Sequence, residues 1–322
     1  MYGPKKGVDL YMHRRMVLAV TIAVFVIGFL LNTNSTLAIE GKFDSRLKQK
    51  VEKAIEGLEN KKGNIQRIAK NDLINWGDDS VQPLIAIVKD WRDQPADLRV
   101  VCVDILGRIK DKRAVPVIIG VMHERKMTMR YNAARALGSI GDKKAIPALI
   151  KLLGDNEWQV RFYAAEAIGK IGDKSAAKPL ANILLTDSSE KVRLMAIESL
   201  DKIGGRIEYK AGLEAFFDKS PRVRSYAVEL SSSWIIEDAV PAISEMLMND
   251  RSSKVRASCA YVLGANANYE ATFALISALS DDYKNVRICA RDSLEKISGQ
   301  NYGQDERAWT NWFALNKDKA KE

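Results

Sequence analysis

Histidine is almost absent from this chain of 322 residues. There are two, His13 and His123. A histidine-rich metal centre needs several imidazoles, and a nucleophilic triad would have to use His123, which has no nucleophile elbow nearby. No Gly-x-Gly-x-x-Gly run and no P-loop occurs, which removes the common phosphate-cradling loops. Cysteine is scarce too, with Cys102, Cys259 and Cys289 at no metal-ligand spacing. A disulfide between Cys259 and Cys289 is open; small, buried packing positions are the plainer reading. Strand-like alternation and low-complexity tracts are missing. Long apolar runs are missing as well, with one exception near the start.

What the chain has instead is a recurring phrase. "MRYNAARALGSIGD" (Met129–Asp142) returns as "VRFYAAEAIGKIGD" (Val160–Asp173). An arginine after an apolar residue stands at Arg99, Arg130, Arg161, Arg193, Arg224, Arg256 and Arg287, in steps of 31 or 32 residues. Six positions before each lies an acid: Asp93, Glu124, Asp155, Asp187, Asp218, Asp250 and Asp281. Proline keeps the same beat at Pro116, Pro147, Pro179 and Pro241, with Pro83 one unit earlier. So regular a period is the mark of a repeat architecture.

Within one unit, Val160, Ala164, Ile168 and Ile171 fall on one face of a helix. Gly172 and Asp173 then end it, since glycine accepts the left-handed conformation there. "AIPALIKLL" (Ala145–Leu153) starts a second helix, with Pro147 in its first turn. Neither short helix buries its apolar stripe alone, so the units must stack. The fold class expected is all-α, an α-solenoid (superhelix) of about seven helix pairs.

These motifs, Asp-x5-Arg, Ala-[Ile/Leu]-Gly-x-Ile-Gly-Asp and Ala-x-Pro-x-Leu-x-x-Leu-Leu, resemble HEAT repeats, most closely the short type of phycobilisome lyases. The resemblance covers roughly residues 71–298. It implies that the acids and arginines form a ladder along the stack. The residues agree: an aspartate before a helix accepts orphan N–H groups, and an arginine in the first turn pairs with carboxylates of its own and the neighbouring unit. A row of arginines binding phosphate is the functional alternative. The resemblance also opens a bilin-lyase-like or other ligand-binding role, although no family-specific active motif is matched. HEAT-type deoxyhypusine hydroxylases use several His-Glu pairs, whereas this chain has His123-Glu124 alone.

The formal charge of +9 is carried by one end. Residues 42–70 hold nine Lys or Arg against four acids, and residues 71–322 are close to neutral. The row five residues after each arginine reads Asp104, Arg135, Glu166, Glu198, Glu229, Tyr261 and Asp292. Mostly acidic, it would repel phosphates, so no nucleic-acid partner is expected. Four acid-first pairs suit an exposed helix: Asp104–Arg108, Glu166–Lys170, Glu198–Lys202 and Asp292–Lys296. Tyr163, Met195 and Tyr226, with Tyr131 and Tyr261 nearby, add the side chains that protein interfaces favour. Tyr131, Tyr163, Glu166, Met195, Glu198, Tyr226, Glu229 and Tyr261 are therefore the candidate binding residues. No catalytic residue, metal ligand or cofactor is assigned.

Four segments follow. In residues 1–38, His13, Arg14 and Arg15 precede the uncharged run Met16–Leu31 and the small residues Thr36 and Ala38. That layout is a secretory signal, or an uncleaved membrane anchor. Either places the repeats outside, in a periplasm or on its membrane. Residues 39–70 read as a charged amphipathic capping helix, residues 71–298 as the array, and residues 299–322 as an aromatic cap around Trp309, Trp312 and Phe313. The expected role is a non-catalytic protein-binding scaffold of a bacterial envelope. Trp234 and Asn266, in irregular late units, stand where other units have isoleucine.

Overall fold

The computed structural model describes residues 34–60, 63–204, 206–232, 239–265 and 269–316, and two compact units, residues 1–86 and 87–322. The segment read as an export signal, apart from its last residues, and the positions of Trp234 and Asn266 lie outside the described residues. Those described form seventeen α-helices and short 3-10 turns, with no strand among them.

In the first unit the expected single helix over residues 39–70 is instead two. Helix α1 (Asn34–Leu58) and helix α2 (Gly63–Trp76) pack together, followed by α3 (Asp78–Lys89), whose last three residues belong to the second unit. The chain turns after Leu58, where the Leu58 carbonyl accepts a 2.8 Å hydrogen bond from Gln66 Nε2. Gly57 permits the close approach, since a Cβ there would stand 2.9 Å from that of Ala69. Val51, Ala54 and Leu58 of α1 are buried, together with Ala69, Leu73, Val81, Leu84 and Ile85.

The second unit holds the repeats. Each marker arginine is the fourth residue of its helix: α4 (Ala96–Ile109), α6 (Met127–Ile140), α8 (Trp158–Ile171), α10 (Glu190–Ile203), α12 (Pro221–Ser231), α14 (Ser253–Ala265) and α16 (Lys284–Ser298). Shorter helices alternate with them: α5 (Val115–Gly120), α7 (Ile146–Leu152), α9 (Ala177–Thr186), α11 (Arg206–Ala215), α13 (Val240–Asn249), α15 (Thr272–Ser277) and α17 (Glu306–Asn316). Arginine-bearing helices pack on their neighbours in sequence order, so the core is a continuous seam of Val, Ala, Leu and Ile.

The short phrase motifs have separate jobs. In "Gly-x-Ile-Gly-Asp" the second glycine ends the helix in the left-handed region, with φ of 76° at Gly141 and 72° at Gly172. The aspartate after it caps the next turn: Asp142 accepts from the Lys144 N–H and Asp173 from the Ser175 N–H. In the first unit of the array Lys110 takes the glycine's place and is held at φ 63°. The first glycine sets the distance between units. A Cβ at Gly138 would fall 2.7 Å from Ala167 Cα, and one at Gly107 2.6 Å from Ala136 Cα. At Gly169 and Gly264 the facing residue is serine, and Ser199 Oγ and Ser293 Oγ each donate a 2.8 Å bond to the Ala165 and Ala260 carbonyls of the preceding arginine-bearing helix.

This seam of small residues is interrupted. At the two joints between α10 and α14 the corresponding pairs are Asp201–Leu230 and Ser232–Val262. The contact of α10 with α12 is correspondingly sparse. The same stretch has lost the repeat's proline, as α11 shows.

The aromatic residues of the last segment lie on and before α17. Trp309 is fully buried, donates Nε1–H to the Gly303 carbonyl at 3.1 Å, and meets Tyr302 and Trp312 edge-on. With its ring buried and its N–H satisfied, Trp309 is a packing residue.

Two substitutions test these assignments. Gly138→Val places branched carbon against the Ala167 backbone and is expected to cost about 1–3 kcal/mol. Lys110→Gly relieves a left-handed non-glycine residue and is expected to stabilise by about 1 kcal/mol. Urea unfolding followed by helical circular dichroism measures both.

Candidate binding surfaces

The arginine–acid ladder forms, with a different wiring from the one expected. Arg130 Nε and Nη2 donate to the two oxygens of Asp155, the acid of the next unit, at 2.7 and 2.9 Å. Arg161–Asp187, Arg193–Asp218, Arg224–Asp250 and Arg256–Asp281 repeat the fork at 2.6–2.9 Å. The acid six residues earlier offers its backbone carbonyl, not its carboxylate, to Nη1: Arg130 takes Glu124 O and Arg161 takes Asp155 O, each at 2.8 Å. Each rung aspartate also accepts the N–H two residues on, as Asp155 does from Glu157 at 2.9 Å and Asp218 from Ser220 at 2.7 Å.

Because the forks point forward, the two end members differ. Asp93 is exposed and pairs with no arginine among the described residues. Arg287 Nη1 takes the Asp281 and Asp282 carbonyls, but no following acid meets its fork among the described residues. Arg99 sends Nε and Nη2 to the Val88 carbonyl, at 3.0 and 2.8 Å, and Nη2 also to Glu124. The phosphate reading of the arginine row is displaced by these bonds: from Arg130 to Arg256 every fork already holds a carboxylate.

Electrostatics follow the geometry. Partial burial alone would push the Asp155 carboxyl up; the Arg130 fork, the Glu157 N–H and the Arg130 and Arg161 charges outweigh it, and its pKa lies below the ordinary 3.8. Asp250 and Asp281 are lowered by the same balance with their own arginines. Burial pushes the Cys102 thiol up to about 12 and the Cys259 thiol higher still. All three cysteines are free, so the open disulfide between Cys259 and Cys289 is not formed. No group of three His, Cys, Asp or Glu able to hold a metal ion occurs among the described residues.

The candidate binding residues separate into two clusters. Tyr131 and Tyr163, from α6 and α8, stack at 5.4 Å between ring centres, and Phe162 meets Tyr163 edge-on at 5.2 Å. Glu166 beside them is held by Lys170 at 2.8 Å, as its spacing predicts. Further along, half-buried Tyr226 is surrounded by Glu198, Asp201 and Glu229. Burial first, then those three charges, raise its phenol pKa. Tyr261 is 64% exposed on the next arginine-bearing helix, and Met195 is half-buried on α10.

The other acid-first pairs differ from expectation. Asp104 takes Arg135 of the next unit at 2.9 Å. Glu198 and Lys202 are not joined among the described residues, and Lys296 donates to the Ala265 carbonyl in place of Asp292. Glu229 accepts from the Ser225 and Ser258 hydroxyls at 3.1 and 2.9 Å. Glu198, Asp201 and Glu229 thus carry no salt bridge among the described residues, and together they make the surroundings of Tyr226 acidic. Asp201 was passed over because its position belongs to glycine in the regular units.

The HEAT-repeat family matches residues 81–161 and 146–232. The chain is a HEAT-repeat protein. Among solved structures, the HEAT-repeat chain is similar to the Escherichia coli protein YibA, at 16% identity over 80% of this chain and 96% of that one, with a TM-score of 0.53. It also matches the complex of CpcE and CpcF of phycocyanin lyase from Nostoc, at 21% identity, 71% and 92% coverage and a TM-score of 0.41. Human deoxyhypusine hydroxylase matches at 22% identity, 80% and 98% coverage and a TM-score of 0.36. None of the curated proteins matches. These similarities speak to the fold alone.

The ladder generates three predictions. Asp218→Ala leaves Arg193, whose side chain is 2% exposed, without its carboxylate; the expected loss is about 3 kcal/mol. Asp93→Ala, outside the ladder, is expected to change stability by less than about 0.5 kcal/mol. Because Asp155, Asp250 and Asp281 have lowered pKa values in the folded state, their contribution is complete above pH 3.8 and lost as pH falls below it. Melting temperature followed from pH 6 to pH 2 should fall most steeply in that lower range, and less steeply in Asp250→Asn.

Proposed function

We propose that this HEAT-repeat protein is a non-catalytic scaffold that binds another protein across α10, α12 and α14. The observation that supports this is the patch of Glu198, Asp201 and Glu229, none of them in a salt bridge among the described residues, around Tyr226, with Tyr261 exposed on the next arginine-bearing helix. Tyrosine supplies contact area at low entropic cost, and unpaired carboxylates select a basic surface. The partner presents lysine or arginine beside apolar groups.

The place of action we propose is outside the cytoplasm, in a bacterial periplasm or on the membrane facing it. The support is the sequence of the first 38 residues, where two arginines precede an uncharged run of sixteen. No helix among the described residues is long and apolar enough to cross a membrane.

Crosslinking of the tagged full-length chain in membrane and periplasmic fractions, followed by mass spectrometry and N-terminal sequencing, tests both statements. Tyr226→Ala with Glu198→Lys is expected to lose at least about tenfold of a specific crosslinked protein while the circular dichroism melt stays unchanged. Equal recovery with the variant, or a band starting at the first methionine and confined to the cytosol, counts against the respective statement.

A further inference from the structure

The first rung of the ladder departs from the others in a way that leaves donors over. In rungs Arg130 to Arg256, Nη1 donates to carbonyls of the arginine's own turn. Arg99 has no such bond: Nε and Nη2 are engaged by Val88 and Glu124, and Nη1 has no acceptor among the described residues. Yet Arg99 is only 4% exposed. The guanidinium is therefore mostly enclosed, and Nη1 is the amine that solvent, or a ligand in its place, can still reach.

Arg99 lies in the wall of a groove of about 880 Å³ between the end of α3 and α5. Val88, Trp91, Pro116, Val117 and Val121 make its lining mostly apolar. Lys89, His123 and Arg125 stand at its exposed rim, and Lys126 is already paired with Asp97. One carboxylate, Glu124, lines it, and that one is bound to Arg99. Trp91 is 67% exposed, with Arg92 lying 5.1 Å from its ring centre. A mostly apolar concavity of this size with one convergent charged donor is the usual form of a small-molecule site.

We infer that this groove binds a small amphiphilic carboxylate, its carboxylate on Arg99 Nη1 and its apolar body along Trp91, Pro116 and Val121. The charge selects an anion: the charged groups at hand, Arg99, Lys89 and Arg125, are cationic, and the single acid is consumed. The lining selects a hydrocarbon body over a polar one. A carboxylate receives a charge-assisted bond there, where an alcohol receives a weaker one. The site is separate from the acidic face of α10 to α14, so it stands or falls independently of the protein-binding role.

Titration calorimetry of the full-length protein with decanoate, below its micelle concentration, tests the site against decan-1-ol and decyltrimethylammonium. Saturable decanoate binding is expected, with both controls at least about tenfold weaker. Trp91→Ala and Arg99→Gln should each weaken decanoate by about tenfold or more. If Arg99→Gln loses its cooperative melt, Trp91→Ala and the wild-type comparison of decanoate with decanol decide the question. Absence of saturable heat, equal binding of the alcohol, or unchanged affinity in Trp91→Ala overturns the proposal.

Discussion

The forward-pointing clasp between an arginine and the next unit's aspartate is the constraint on which the array rests. One guanidinium ties three things at once: its own turn, through Nη1; the following unit's carboxylate, through Nε and Nη2; and, through that carboxylate, the N–H that starts the following helix. A charge that is nearly buried must be fully bonded to be tolerated. From Arg130 to Arg256 this requirement is met by the neighbour. Each unit therefore completes the one before it, and apolar contact along the helices is locked to a single register.

Why the contact is so close is a matter of side-chain size. Glycine at the eighth position after the arginine faces alanine or serine in the next unit, and the backbones approach until a Cβ has no room. Where serine stands, its hydroxyl finds a carbonyl across the joint. Register is thus specified twice, by the polar clasp at one end of the helix and by the small-residue seam further along it.

Much of this was legible in the sequence because each device recurs at 31 or 32 residues. Repetition identified Asp93 and the other acids, the seven arginines, the prolines and the glycine turns, and with them the helix pairs. What it did not reveal is direction. Spacing within one unit links Asp155 to Arg161, whereas in space the Asp155 carboxylate belongs to Arg130, because only the stacking of helices brings residues 25 apart together. Asp93 looked like a rung for the same reason and meets no arginine among the described residues. The turn after Leu58 was missed since the stripe of α1 and that of α2 are both apolar on similar spacing. The Tyr226 patch was half visible: Glu198, Glu229 and Tyr261 fall in one row, but Asp201 comes from a glycine position and the loss of the Glu198–Lys202 pair depends on rotamers. The groove beside Trp91 was not legible at all, since its walls come from residues up to 38 apart that only packing brings together.

The break in the glycine–alanine seam at Asp201–Leu230 and Ser232–Val262 has a mechanical meaning. In a one-dimensional stack, cooperativity is transmitted through each nearest-neighbour joint, and a weak joint divides the whole into blocks. The polar clasps Arg193–Asp218 and Arg224–Asp250 still span these joints, while helix contact is sparse at the first of them, between α10 and α12. Such a place works as a tethered seam: under pulling or heating the blocks on either side part there first, held by ion pairs, and close again without losing their alignment.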